Sequence, residues 1–320
     1  MAGDEVAAVL EAAGPRAVEL LVAVEERIHS VTAEAEEPIN AFAVQAAGGG
    51  GKRLRPLLAI LAAGPEPEDG EAVVRAATAV ELVHAATLVH DDIIDRSDTR
   101  RGAPTVVAEG GRTAAVAVGD WLFAAAFGVL VETGPEDVAL LAQAGSDLAR
   151  GELLQRADAW NLHVTRERYA ERCRLKTARL FQAAAVLGSR AGGLDPKGAD
   201  AFAAGVGVAF QMLDDVLDVT GPVERTGKPR GTDLLDGTVN LPLIEAQELD
   251  PTLATLDLQG LDAESAEAVC DRIVSCGATD RVRDEALLMM ATAEQVADGL
   301  PGVSTEAFKL VARALVERVA

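Results

Sequence analysis

Aromatic side chains are scarce in this sequence: seven Phe, two Trp and one Tyr make up 3% of 320 residues. A core built without them must come mainly from Ala, Val and Leu, a mixture that packs most readily as closely spaced helices. Positive charge is the second deficit. Twenty-nine Lys and Arg stand against 51 Asp and Glu, a formal charge of −22. No long Lys/Arg run appears, so the basic footprint of a nucleic-acid binder is missing and attraction to anionic lipid is disfavoured. Cysteine is thin as well. Cys173, Cys270 and Cys276 form no CxxC pair and leave one thiol over in any bridging scheme, which points to a reduced, intracellular setting. The stretch Met1-Ala-Gly-Asp-Glu5 carries acids where a secretory leader carries bases. No window approaches about 18 uninterrupted apolar residues. These absences predict a soluble, cytoplasmic protein without stable membrane insertion.

Hydrophobic residues make up 49% and charged residues 25%, the balance of a globular domain rather than a disordered chain. Apolar residues recur every three or four positions nearly throughout, which predicts helix. Gly and Pro clusters at 48–51, 64–70, 133–136, 192–196 and 220–222 divide the pattern. Long helices are expected over 72–97, 113–132, 136–156, 166–191 and 199–219, with shorter ones after Pro242, Ala263, Asp280 and Ser304. With no linker and no low-complexity tract, residues 1–320 read as one all-α domain.

One motif occurs twice: Asp91-Asp-Ile-Ile-Asp95 and Asp214-Asp-Val-Leu-Asp218. On a helix, residues four apart share a face, so Asp91 and Asp95 point one way and Asp214 and Asp218 do likewise. Crowded carboxylates repel, and hard oxygens at this density suit Mg²⁺, which completes its shell with water and substrate phosphate. An acidic chain makes one such motif unremarkable as a solvated face. Two copies, each directly after an apolar helical stretch, argue for a paired metal site.

Cations cluster beside these acids. Lys52, Arg53 and Arg55 follow a run of glycines, and Arg100 and Arg101 follow the first motif. Mg²⁺ carboxylates beside Lys and Arg are suited to phosphate. The glycine run is not a P-loop, because Ala46 and Arg53 stand where Gly and Ser or Thr are required. His84, two turns before Asp91, falls on the metal-facing side; His90 does not and reads as structural. His29 and His163 have no partner signature, and neither HExxH nor GxSxG occurs.

Seven ordered motifs carry a resemblance: Gly51-Lys-Arg-Leu-Arg-Pro56, Glu81-Leu-Val-His84, Asp91 to Asp95, Arg100-Arg-Gly102, Lys176-Thr177, Gln211 to Asp218, and Gly227-Lys-Pro-Arg-Gly-Thr-Asp-Leu234. Over about residues 45–245 the chain resembles the trans-isoprenyl diphosphate synthases. The resemblance implies an all-helical bundle of the isoprenoid synthase type around a central cavity. It implies a homodimer that adds isopentenyl diphosphate to an allylic diphosphate, with the two aspartate motifs holding three Mg²⁺. Motif by motif, Asp91, Asp95 and Asp214 would be the principal ligands, supported by Asp92, Asp215 and Asp218. Lys52, Arg55, His84 and Arg101 match the isopentenyl diphosphate site; Arg100, Lys176, Thr177, Gln211 and Lys228 match the allylic site. The diphosphate released by ionisation would serve as base. A terpene cyclase and a non-catalytic partner subunit are the rival readings, disfavoured by the few aromatics and by the intact motifs respectively.

One position departs from the family pattern. Thr238 stands where many members carry lysine, so one cationic contact to the allylic diphosphate is expected to be missing. Thr87, about 6 Å along the helix from Asp91, and Ala86 beside it are small where short-product enzymes place aromatics. The expected product is therefore C20 or longer, in the range of C30 to C50. Trp121 and Phe123 offer a deeper floor to the same path, or ordinary core packing.

Overall fold

The computed structural model describes residues 2–48, 51–100, 102–221 and 229–317. Helices account for nearly all of its regular structure, with one short hairpin of β1 (Thr99–Arg100) and β2 (Ala103–Pro104). Two compact units separate: one of Met1–Gly145, Leu180–Phe202 and Val296–Val311, the other of Ser146–Arg179, Ala203–Gln295 and Ala312–Ala320.

In the first unit, α1 (Ala2–Ala13), α2 (Pro15–Ala33), α3 (Ile39–Gly48) and α4 (Leu54–Ala62) precede the central α5 (Gly70–Asp95). Asp69 caps α5 by accepting the Ala72 N–H, and Glu71 sits in the first turn where the helix dipole favours negative charge. Fifteen of its residues are buried, mostly Ala and Val, so α5 is a core helix. Alongside runs α6 (Val106–Leu130), capped by Thr105 and kinked at Gly111, where φ is 74°. The helix expected from residue 113 is the part beyond this kink; a shorter segment precedes it. His90 packs where a Cβ at Gly119 would stand, 2.1 Å from its Nε2. Both α5 and the segment Val106–Thr133 are long and apolar enough to cross a membrane by length and composition; α5 is mostly buried, the other only in part.

Helix α7 (Pro135–Ala157) passes into the second unit, where α8 (Arg166–Cys173) opens on a Thr165 cap. The single helix expected over 166–191 is interrupted. Residues Arg174–Ala178 form one π-helical turn before α9 (Arg179–Ala191). Hydrophobic spacing survives such a turn, which is why periodicity alone does not reveal it. The remaining elements are α10 (Lys197–Thr220), the short α11 (Thr232–Leu235), α12 (Leu241–Leu249), α13 (Ala263–Ser275), α14 (Ala278–Asp298) and α15 (Thr305–Glu317).

Glycine allows the closest helix approaches. Cβ atoms at Gly188 of α9 and at Gly192 just beyond it would stand 2.0 Å from the carbonyl oxygens of Ala59 and Ala63, so α4 and α9 meet backbone to backbone within the first unit. In the second unit Gly151 of α7 faces the Lys176 backbone and Gly207 of α10 faces Ala178, which seats the π-turn between these two helices. Gly188→Ala is expected to destabilise the protein by about 1–3 kcal/mol or more through overpacking. Gly205→Ala, whose new Cβ meets Ala293 at an ordinary 3.7 Å, should be neutral or stabilising. Thermal denaturation of both variants checks this; equal melting temperatures would contradict the packing.

Candidate active site

Late in α5 the half-buried positions His84, Leu88, Asp91 and Asp95 follow an i, i+4, i+7, i+11 series and form one stripe. Asp92 turns off that stripe into the interior, where Arg100 binds one of its carboxylate oxygens through Nε at 2.9 Å and Nη2 at 2.7 Å. Arg100 and Asp92 thus engage each other, a charge-assisted pair that ties the hairpin to the end of α5. Among the cations after the glycine run, Lys52 is paired with Glu5 of α1. Arg53 adopts the left-handed conformation and is strapped to Glu25, Glu81 (2.7 Å) and the Ala47 carbonyl (2.8 Å). Arg55 lies 4.5 Å over the Phe181 ring. Arg53 therefore holds the segment down on α2, α3 and α5 while Lys52 and Arg55 flank it. Ala86 and Thr87 are both buried, and the Thr87 hydroxyl donates to the His84 carbonyl at 2.7 Å. Arg101 and Lys228 lie outside the described residues.

The second acidic motif shows the same pattern in its own unit. Gln211, Asp214 and Asp218 are half-buried on one face of α10, and Asp215 turns inward. Both Asp215 oxygens are held, one by the Tyr169 hydroxyl at 2.7 Å and the other by the Gln211 amide at 2.9 Å. Thr177 in the π-turn donates to the Gln211 carbonyl at 2.7 Å. Asp218 accepts weakly from the Asp233 backbone N–H at 3.3 and 3.4 Å, and the Asp233 carboxylate accepts from Asn240 at 3.1 Å. Lys176 is paired with Glu152 on α7 and donates to Gln155 at 3.3 Å.

Tyr169, Glu152, Gln155, Asp233 and Asn240 are members of this constellation that the sequence reading did not single out. Two signals were available: Asp233 lies inside the Gly227–Leu234 motif, and Glu152 and Gln155 share a helix face at i, i+3.

Burial and crowding dominate the electrostatics. Desolvation, then the neighbouring charge of Asp233, pushes the Asp215 carboxyl up to about 7 and that of Asp218 up to about 9. Asp233 is raised for the same first reason, with Asp214 adding to it. Among the described residues no three His, Cys, Asp or Glu converge as a ready-made ligand cage. The donor set nonetheless fits Mg²⁺: hard oxygens, two per helix face, whose ionisation a divalent cation would favour, with phosphate and water completing the shell.

The chain belongs to the polyprenyl synthetase family, whose profile matches residues 36–275. It is an enzyme of that family, a polyprenyl diphosphate synthase and so a prenyltransferase of isoprenoid biosynthesis. It is 37% identical over 294 residues to heptaprenyl diphosphate synthase component 2 of Geobacillus stearothermophilus, covering 88% of this chain and 90% of that one. It is likewise 37% identical over 257 residues to octaprenyl diphosphate synthase of Escherichia coli K12, covering 78% and 80%. The crystal structure of heptaprenyl diphosphate synthase from Staphylococcus aureus superposes with a TM-score of 0.89 at 28% identity, covering 95% and 99%. The all-α fold is thus the isoprenoid-synthase fold.

The raised carboxyls make stability depend on pH in a defined direction. A carboxyl whose folded pKa lies above its free value stabilises the fold fully below about pH 3.8 and loses that contribution as pH rises through the folded value, here about 7 for Asp215 and about 9 for Asp218. In EDTA the melting temperature should therefore fall between about pH 4 and 9, and saturating Mg²⁺ should reduce the fall. A metal-free melting temperature that is flat or rises over this range would contradict the assignment.

Proposed function

We propose that this enzyme condenses isopentenyl diphosphate with an allylic diphosphate, head to tail, with Asp91, Asp95 and Asp214 as the principal ligands of Mg²⁺, three per site. Asp92, Asp215 and Asp218 support them from the second layer. The observation that carries this reading is the matched construction of the two motifs: each leaves two aspartates on a half-buried face and turns a third inward onto protein donors. An inward aspartate with both oxygens spent on Tyr169 and Gln211 orients its helix rather than offering a vacant ligand position.

Bound Mg²⁺ supplies the positive charge that makes the diphosphate a leaving group. Lys176 and Thr177 act from the π-turn, and together with Arg100, Gln211 and Lys228 they bind and orient the allylic diphosphate. Lys176 must exchange its Glu152 partner for phosphate to do so. Lys52, Arg55, His84 and Arg101 bind isopentenyl diphosphate, and Lys52 likewise exchanges Glu5. The π-electrons of the homoallylic alkene form the new C–C bond at allylic C1, the C–O bond to diphosphate breaks with its electron pair leaving on oxygen, and one proton is lost to the released diphosphate. Repetition elongates the chain.

The product is C20 or longer, in the C30 to C50 range; small residues at Ala86 and Thr87 and relatives named for heptaprenyl and octaprenyl products support this. A cytoplasmic homodimer is the proposed state. The incomplete burial of the apolar segment Val106–Thr133, including Val116 at 41% exposure, supports a second copy against α6. A second reading comes from the name of one relative, "component 2": the chain would need a partner chain for turnover.

The test incubates purified protein with Mg²⁺, isopentenyl diphosphate and C5, C10, C15 or C20 primers, and sizes the products. Longer diphosphates made by the chain alone are expected. Asp91→Ala and Asp214→Ala should each lower kcat by about a hundred-fold or more, and Ala86→Phe should shorten the product in a variant that still folds. Hydrocarbon products, or turnover that appears only with a second chain, would contradict the reading.

A further inference from the structure

Arg172, in the last turn of α8, is the only Arg or Lys among the described residues that is buried outright, at 4% exposure. Neither the resemblance nor the roles assigned above uses it. Its Nη2 donates to the Val239 carbonyl at 2.8 Å, and its guanidinium carbon lies 5.3 Å over the ring of Tyr169, whose hydroxyl holds Asp215. It forms no ion pair among the described residues, although its charge acts favourably on both Asp215 and Asp233. Burying a guanidinium without a carboxylate partner is costly, so the surrounding cluster must compensate for it.

The carbonyl it grips belongs to the segment that carries Asp233 and Asn240. Thr238 N–H donates to the Asp233 carbonyl at 2.7 Å, and Asn240 donates to the Asp233 carboxylate. At the other side Trp160, itself at φ 66°, donates its N–H to the Gly237 carbonyl at 2.8 Å. Its ring lies 2.4 Å from where a Gly237 Cβ would stand. Arg172 is thus a charged anchor of a tightly turned segment at the rim of the second acidic motif.

We propose that Arg172 is a positioning residue of the second acidic cluster: it clamps the Val239 carbonyl and so fixes Asp233 and Asn240 in the arrangement in which the cluster accepts divalent cations. This rests on reading the cluster as the metal and diphosphate site. Two effects oppose each other when the cation is removed. Loss of a nearby positive charge favours metal binding, whereas loss of the clamp and collapse of the carboxylate geometry disfavour it; the positioning role requires the second to win.

The experiment compares wild type, Arg172→Met and Arg172→Lys, with circular dichroism to verify folding. Mn²⁺ binding to the metal-free protein in the presence of inorganic diphosphate is measured by EPR, alongside the Mg²⁺ concentration for half-maximal turnover. Arg172→Met should weaken Mn²⁺ binding about ten-fold and raise the Mg²⁺ requirement in parallel, with the KM for isopentenyl diphosphate unchanged. Mn²⁺ binding unchanged or tighter in a folded Arg172→Met protein would overturn the proposal. Should Arg172→Met not fold, Arg172→Lys decides: it keeps the charge but loses the fork, and a two- to five-fold loss is expected, with no loss overturning the clamp. A wild-type chain that binds no Mn²⁺ would overturn the reading of the site and this inference with it; an active wild type with an unaffected Arg172→Met would overturn this inference alone.

Discussion

Carboxylates crowded into a poorly solvated corner repel one another, and the second unit is organised around that repulsion. Asp214, Asp215 and Asp218 share two turns of α10, and Asp233 approaches from α11 close enough that its backbone N–H reaches Asp218. Without compensation they take up protons, as the raised Asp215 and Asp218 carboxyls express. The surrounding structure supplies the compensation in fixed form: the Tyr169 hydroxyl, the Gln211 amide, the Asn240 amide and the Arg172 guanidinium. Asp214 and Asp218 stay half-buried on one face of α10, where mobile positive charge is favoured.

The same constraint gives the π-turn its role. A regular helix through Arg174–Ala178 would present its side chains at the ordinary period; the extra residue per turn re-aims Lys176 and Thr177. Close packing then fixes the turn, because Gly151 and Gly207 let α7 and α10 approach its backbone directly. Thr177 grips Gln211, and Gln211 grips Asp215, so the residues assigned to diphosphate and those assigned to metal belong to one hydrogen-bonded chain. In the first unit Arg53 does comparable work, binding Glu25 and Glu81 so that Lys52 and Arg55 are presented beside it.

Helix period made α5 and α10 legible in the sequence, and with them the two acidic faces, because 3.6-residue spacing determines which aspartates share a side. The helix expected from residue 113 corresponds to the part of α6 beyond the Gly111 kink, and the structure adds a short helical segment before it. The π-turn was not legible, since one inserted residue leaves the hydrophobic pattern nearly intact. Nor were the partners of the cations. Lys52 with Glu5, Lys176 with Glu152 and Arg172 with Val239 join residues far apart in sequence, and only the fold brings them together. Arg172 in particular sits in the stretch Arg172-Cys-Arg-Leu-Lys176, where composition alone suggests a solvated basic face.

The central claim is that the two acidic motifs bind a small polyanion only through divalent metal, on a chain whose formal charge is −22. Calorimetric titration of inorganic diphosphate into the intact protein, with Mg²⁺ and with EDTA, tests it most directly. The account predicts strong binding in Mg²⁺, none in EDTA, and loss of the Mg²⁺-dependent heat in Asp214→Ala. Diphosphate binding of equal strength in EDTA, or binding in Mg²⁺ that survives Asp214→Ala unchanged, would contradict it.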